Sequence, residues 1–394
     1  AAAFRGAGRV AGGVERGAAR TSDGRIPDDA VRVVPREAER RVDVEVDGAR
    51  FTAYVWPERL AKPVLHPIVA AGGAIVTRGF PLDPRPGERV DHPHQVGLWF
   101  AYGDVDGVDY WNTSEALPAD ERAKMGVIRH RAIVAARSGE RGELDIEADW
   151  IAPGDRRVLE ERTRLVFAGG PGRRSIDRLT TLTAVAPRVV FGDSKEGLLG
   201  LRVARALELP ADKPEIFLDA AGRPTPVPVL DNTGVTGMYV SSEGKRGHDV
   251  WGTRGRWVAL SGRVGEQPVT IAILDHPSNP GHPTVWHARG YGLFAANPLG
   301  RRSFDPSAPP ARLVLESGGR LRFVHRILVL SSAAATEEIE TAWRAFAREY
   351  PAAGPTAGAR PRPRAREQRD AADGARDCVG LRLGGTIDCG GRGR

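Results

Sequence analysis

A period of two recurs through the middle of this chain and restricts its fold more than any other feature. Residues 42–56, VDVEVDGARFTAYVW, are two alternating apolar and polar runs that meet at Asp47-Gly48. An Asp-Gly link between such runs is the strongest short signal of a β-hairpin. The same alternation returns in RVLEERTRLVF (157–167), RRSIDRLTTLTAV (173–185), RWVALSGRVGEQPVTIAILDH (256–276) and ARLVLESGGRLRFVHRILVL (311–330). Successive side chains of a strand point to opposite faces, so these segments predict half-buried antiparallel strands.

One segment departs from that period. In TEEIETAWRAFAREY (336–350), Ile339, Trp343, Phe346 and Tyr350 fall on one helical face, Glu337, Glu338 and Glu340 lie toward the N-terminal end, and Pro351 follows. This predicts a helix docked by its aromatic stripe. The fold expected is therefore all-β: a large antiparallel β-sandwich with one C-terminal helix, spanning 31–351 as a single domain with no linker-like shift of composition inside it. Residues 1–30 and 352–394 are rich in Ala, Gly, Arg and Pro without apolar periodicity. Such stretches bury too little apolar surface to offset chain entropy, and both are expected to be disordered.

Charge matters here for where it lies. Of the net +7, residues 1–30 carry five Arg against four acids, 352–394 carry nine Arg against five, and the remainder has 43 basic against 41 acidic side chains. A nearly neutral body argues against a nucleic-acid partner, which requires a basic stripe on a folded face. No apolar run reaches the length of a membrane span, so no membrane partner is expected. Without a recognisable signal segment the expected location is the cytoplasm. The two cysteines, Cys378 and Cys389, both lie in the tail and form neither a disulfide framework nor a zinc ligand set. Oligomeric state has no signature in the sequence.

Histidines mark where chemistry is expected. His92 and His94 stand in DHPHQVGLWFAYGDVDGVDYWN (91–112), with His66 upstream, and His276, His282 and His287 stand in LDHPSNPGHPTVWHARGYGLFAANPLG (274–300). Both segments run from His-Pro pairs to a Gly-Leu-aromatic step, which suggests opposite walls of one pocket. For the first segment three readings stand: a core strand from Gly97 to Tyr102 with Leu98 and Phe100 inward and the histidines in a plain loop, an acid/base imidazole at His94 fixed by Pro93, or metal binding by His92 and His94. Against the metal stand Pro93 and the want of HExxH or another complete ligand set. No other cofactor is expected, because GxGxxG, Walker A, GxSxG and CxxC patterns are all missing.

FGDSKEGLLGLRVARALE (191–208) is the other dense point. Asp193, Lys195 and Glu196 are either a charged turn before a strand or groups that hydrogen-bond a ligand, and adjacent strand residues would send only one of Lys195 and Glu196 to it. In Trp286-His287-Ala288-Arg289-Gly290-Tyr291, a strand would align His287, Arg289 and Tyr291 on one face as an acid/base, an anion clamp and a hydroxyl donor. The alternative is an edge strand with its polar side outward. Trp111 and Trp251 are sugar-stacking platforms or core residues.

HPHQVGLWFAYGDVDGVDYW, SKEGLLGLRVAR and WHARGYGLFAANPLG resemble, in order, three signature blocks of the bacterial PmoA-like family, over roughly residues 40–333. The resemblance implies an all-β protein found in carbohydrate-utilisation settings. LVLESGGRLRFVHRILVLSS is similar to the closing hairpin of galactose-mutarotase-like supersandwich proteins, in which a His acid and a Glu base act on a sugar. His94 or His287 would match the acid, and Glu316 is the nearest late carboxylate.

The reading that follows is a carbohydrate-active enzyme. His94 and His287 handle protons, Lys195 and Arg289 stabilise negative charge on a substrate oxygen, and His92, Trp99, Trp111, Glu196, His276, His282 and Tyr291 bind the substrate. Epimerisation, elimination and hydrolysis all draw on this equipment. A non-catalytic carbohydrate-binding module and a His-ligated metal-dependent oxygenase or hydrolase are the alternatives.

Overall fold

In the computed structural model, residues 31–350 are described. The segments 1–30 and 352–394, with Cys378 and Cys389, lie outside the described residues. The first half supplies β1 (Val31–Arg36), β2 (Arg41–Val46), β3 (Ala49–Val55), β4 (Val64–Leu65), β5 (Leu98–Tyr102), β6 (Val127–Arg137), β7 (Gly142–Ala152), β8 (Arg156–Gly170) and β9 (Arg173–Ala184). A one-turn helix α1 (Ala119–Arg122) lies between β5 and β6. The second half supplies β10 (Arg188–Phe191), β11 (Gly197–Arg202), β12 (Met238–Ser241), β13 (Trp257–Val264), β14 (Gln267–Asp275), β15 (Val285–Ala288), β16 (Leu293–Asn297), β17 (Leu313–Glu316), β18 (Arg320–Leu330) and the helix α2 (Thr336–Glu349).

Two eight-stranded antiparallel sheets form a large β-sandwich. The first runs β1-β2-β3-β4-β5-β11-β16-β15 and the second β12-β13-β14-β18-β9-β8-β7-β6. Their facing sides build the core, where Phe100 of β5 meets Trp150 at 6.4 Å and Phe323 at 5.6 Å, and Phe51 meets Phe167 at 6.2 Å between ring centroids. Edge-to-face pairs of this kind add to the area each ring removes from water. Leu98 and Phe100 point into this core, as the alternation predicts.

The β2–β3 hairpin forms where Asp-Gly places it, with Asp47 at φ 53° and Gly48 at φ 70°. Two left-handed residues in a row match the twist of the flanking strands. Helix α2 buries Ile339 and Phe346, with Trp343 and Tyr350 half-buried, against the outer face of the second sheet. Each fully buried apolar side chain there stabilises the fold by about 1.5–3 kcal/mol. The closing segment differs from expectation. Residues 311–330 do not fold as a hairpin, because β17 pairs with β10 in a separate two-stranded sheet and β18 lies between β14 and β9. Glu316 is accordingly an exposed residue opposite Arg188.

Candidate functional site

Three chain segments converge on the first sheet, on the side away from the second: the loop before β5, the turn before β11, and the β15–β16 connection. Residues paired across neighbouring strands share a face. Trp99, Gly200, Ala295 and His287 therefore form one row on that outer side. The middle of the row has to be small, because a Cβ on Gly200 would lie 2.5 Å from Trp99 and 2.8 Å from Trp111.

The loop carrying the histidines is held by two buried arginines. Arg78 and Arg202 are 1% and 0% exposed, and both donate to Asp91 Oδ1, at 2.8 and 2.6 Å. Arg78 also donates to the carbonyls of Asp91, His92 and Gln95, and Arg202 to Gln95 Oε1. Ion pairing at this depth stabilises when the charges are well hydrogen-bonded, and the terminal nitrogens of both guanidinium forks supply those bonds, while the Nε–H of each arginine has no partner within the protein. Burial works to raise the Asp91 carboxyl, but Arg202, the His92 hydrogen bond and Arg78 outweigh it and hold the group well below the usual carboxylate range.

Asp91 in turn orients His92, whose Nδ1–H donates to Asp91 Oδ2 at 2.7 Å. That bond fixes the tautomer and leaves Nε2 as the free nitrogen on a side chain 41% exposed. His92 has φ 44°, a backbone conformation that is uncommon for a non-glycine residue and collects at functional loops. Its ring lies flat against Tyr291, with centroids 4.8 Å apart and planes 5° from parallel, and Arg202 stacks on the same Tyr291 ring at 4.8 Å.

The turn 194–196 is fastened from β15 and β16. His287 Nδ1–H donates to the Lys195 carbonyl at 2.9 Å, and Asn297 Nδ2 donates to the Ser194 and Lys195 carbonyls. His287 is 2% exposed, and its Nε2 has no hydrogen-bond partner within the protein. Burial, aided by Arg289 and Lys195, lowers His287 to about 3, so the ring is neutral. Glu196 Oε2 lies 4.0 Å from His287 Nδ1, and Lys195 Nζ lies 3.8 Å from Glu196 Oε1. Burial raises the Glu196 carboxyl, against the pull of Lys195, His92 and Arg289. Arg289 packs on Trp251 at 5.0 Å.

The structure thus brings His92, Lys195, Glu196, His287, Arg289 and Tyr291 to one neighbourhood. Arg289 and Tyr291 reach it from the turn after β15 rather than from one strand face with His287, since β15 ends at Ala288 and Gly292 closes the turn onto Arg289. His94 meets this group at His92, at 5.7 Å between rings, and lines a cavity of about 190 Å³ that His287 does not border. Trp99 and Trp111 are 0% exposed and pack on each other at 5.0 Å, so they offer no open stacking face.

His276 and His282 belong to a different region: His276 packs on Phe346 of α2 at 5.2 Å, and His282 stacks on Trp343 while pairing with Asp275 at 2.7 Å. Asp193 caps the backbone of 301–303 rather than facing a ligand. Asp91, Gln95 and Arg202 are the site residues that the sequence reading passed over. The adjacency Asp91-His92 was their only local signal. Among the described residues no three His, Cys, Asp or Glu side chains converge as a metal-ligand set, and no helix is long and apolar enough to cross a membrane.

A family model described as "Family of unknown function (DUF6807)" matches residues 41–344. No curated protein matches this chain. Among solved structures, the GH36 alpha-galactosidase AgaB from Geobacillus stearothermophilus is similar at 12% identity over 76% of this chain and 41% of its own, with a TM-score of 0.38. The Slr1438 protein from Synechocystis is similar at 9% identity over 77% of this chain and 96% of its own, with a TM-score of 0.27. A galactose mutarotase related enzyme from Lactobacillus acidophilus is similar at 11% identity over 77% and 98%, with a TM-score of 0.26. This chain spans less than half the length of the α-galactosidases it matches. Likenesses this distant carry no activity across.

Proposed function

We propose a function from the site itself, since the chain belongs to DUF6807, a family of unknown function: it binds a sugar or oxidised sugar on the outer side of the first sheet and moves protons on it. The observation that carries this reading is that His92, oriented by Asp91, lies near enough to a half-buried Glu196 to act on its charge, while burial pushes that carboxyl up. Proton transfer at a sugar carbon or oxygen requires two positioned groups that can give and take a proton, and an oriented imidazole and a carboxyl are groups of that kind. His92 Nε2 takes or gives one proton and Glu196 the other. His287 Nε2 accepts a hydrogen bond from a substrate hydroxyl, and Arg289 and Lys195 stabilise negative charge developing on a substrate oxygen. His92 replaces His94 in the role that the sequence reading gave to His94.

The carbohydrate class rests on this mix of hydroxyl-pairing and cationic groups; the family model that matches is DUF6807, and no comparison supports the PmoA-like resemblance of the three sequence blocks. Epimerisation, elimination and hydrolysis are all served by the same pair. A non-catalytic binding site is the second reading, and it is favoured by His287 at about 3 and His94 at about 2, both poor proton carriers at neutral pH. A thermal-shift screen of sugars, keto-sugars and sugar acids, followed by product analysis on each hit, separates the two. Stabilisation with product formation supports the enzyme, and stabilisation without product supports the binding module. Failure of every carbohydrate to stabilise the protein removes both.

A further inference from the structure

Lysine is scarce here: the chain has 57 Lys and Arg together, of which only Lys62, Lys124, Lys195, Lys213 and Lys245 are lysines. Lys62 is the one that is buried, at 3% exposure. Among the other buried cations, Arg174 sits on the Arg50 and Val69 carbonyls and the rest are arginines on carboxylates: Arg78 and Arg202 on Asp91, Arg89 on Glu208, Arg178 on Glu161 and Arg326 on Asp177. Lys62, like Arg174, donates to a neutral acceptor, the Trp111 carbonyl, at 2.6 Å. A guanidinium cannot give up its proton in a protein, whereas a buried ammonium does so readily.

The residue borders the cavity of about 190 Å³ that also holds His94, walled by Val64, Phe80, Pro81 and Val96. His94 Nε2 is buried there without a hydrogen-bond partner. We propose that Lys62 is the amine of a second reactive site, which forms an imine with a small aldehyde or ketone entering this cavity. The amine lone pair adds to the carbonyl carbon and one N–H proton passes to the oxygen. The resulting hydroxyl then leaves as water with the second N–H proton, so that a C=N bond remains and no other reactant is consumed. His94 Nε2 is positioned to hydrogen-bond the carbonyl oxygen. Arg59, Glu115 and His94 line the same cavity and Asp109 acts on the amine, and Lys62 also borders a second hollow that carries Glu58, Arg129 and His130. Burial lowers Lys62 to about 7, which leaves about half of it as free amine at neutral pH, whereas an ordinary lysine has about one part in a thousand or less.

This goes beyond the proposed sugar site and does not depend on it. The test treats the full chain at pH 7 with propanal and sodium cyanoborohydride and maps the N-propylated lysines by peptide mass spectrometry. Lys62 is expected to be labelled at least about tenfold faster than Lys124, Lys195, Lys213 and Lys245, in keeping with its larger amine fraction. K62R, which keeps a donor for the Trp111 carbonyl, should lose the fast label and leave the slow ones. Labelling of Lys62 at or below the rate of the other lysines, or a fast label that persists in K62R, overturns the proposal.

Discussion

The Tyr291 ring lies flat on the His92 imidazole at 4.8 Å, joining the turn after β15 to the loop before β5. Stacked aromatic pairs are worth about 0.5–1.5 kcal/mol beyond the area they bury. Tyr291→Phe keeps that stack and should hold ligand affinity within about threefold, whereas Tyr291→Ala should weaken it about five- to tenfold, as the same energy converts. Isothermal titration with the ligand found by the carbohydrate screen measures both. Equal affinity in the two variants contradicts a positioning role for the stack.

Asp91→Ala leaves Arg78 and Arg202 buried without their shared carboxylate. Removing one partner of a buried ion pair costs about 3–5 kcal/mol, and urea denaturation should show a loss of that size. A loss under about 1 kcal/mol, the range of exposed pairs, would mean that the arginines do not rely on Asp91.

Glu196→Gln preserves the side chain's shape and removes its proton transfer. Turnover should fall about a hundredfold to ten-thousandfold, while binding of the same ligand and the melting temperature change little. Unchanged turnover would remove Glu196 from the chemistry.

Three buried histidines make the fold acid-sensitive. Burial holds His66 and His325 at about 4 and His287 at about 3. A histidine whose folded value is depressed takes up its proton first in the unfolded chain. Stability is therefore complete above about 6.5 and is lost as pH falls from there toward 4, by about 2.5 kcal/mol per histidine near pH 4.5. Asp91 adds a separate loss only below about 4, where the unfolded carboxyl begins to protonate. Denaturant unfolding at pH 7, 5.5 and 4.5 follows the first window, and a flat profile there would contradict neutral burial of these rings.

The sequence revealed strands better than it revealed partners. Alternation in 42–56 and the Asp47-Gly48 link set the β2–β3 hairpin because both signals are local. The stripe Ile339, Trp343, Phe346 and Tyr350 set the docking face of α2 for the same reason. The pairing of β17 with β10 is long-range, so the 311–330 alternation read as a hairpin that does not form.

At the site, the two His-rich segments do meet, but through His92 and Tyr291 rather than His94 and His287. Periodicity cannot rank neighbouring histidines in a loop. What selected His92 was Asp91, fixed by Arg78 and Arg202, and those residues are distant in sequence and carry no motif. Trp99 and Trp111 misled for a related reason: indoles suited to a sugar platform suit a core equally, and only Gly200 decides that they interlock.

The most direct test of one shared site measures the binding of the best carbohydrate ligand to the wild type, to Arg289→Ala and to His276→Ala, all by isothermal titration. If the ligand lies between His92, Glu196, His287 and Arg289, then Arg289→Ala should weaken binding at least about tenfold, the scale of a charge-assisted hydrogen bond, and His276→Ala should leave it unchanged. Equal affinity for Arg289→Ala and wild type, or a loss confined to His276→Ala, would contradict the account.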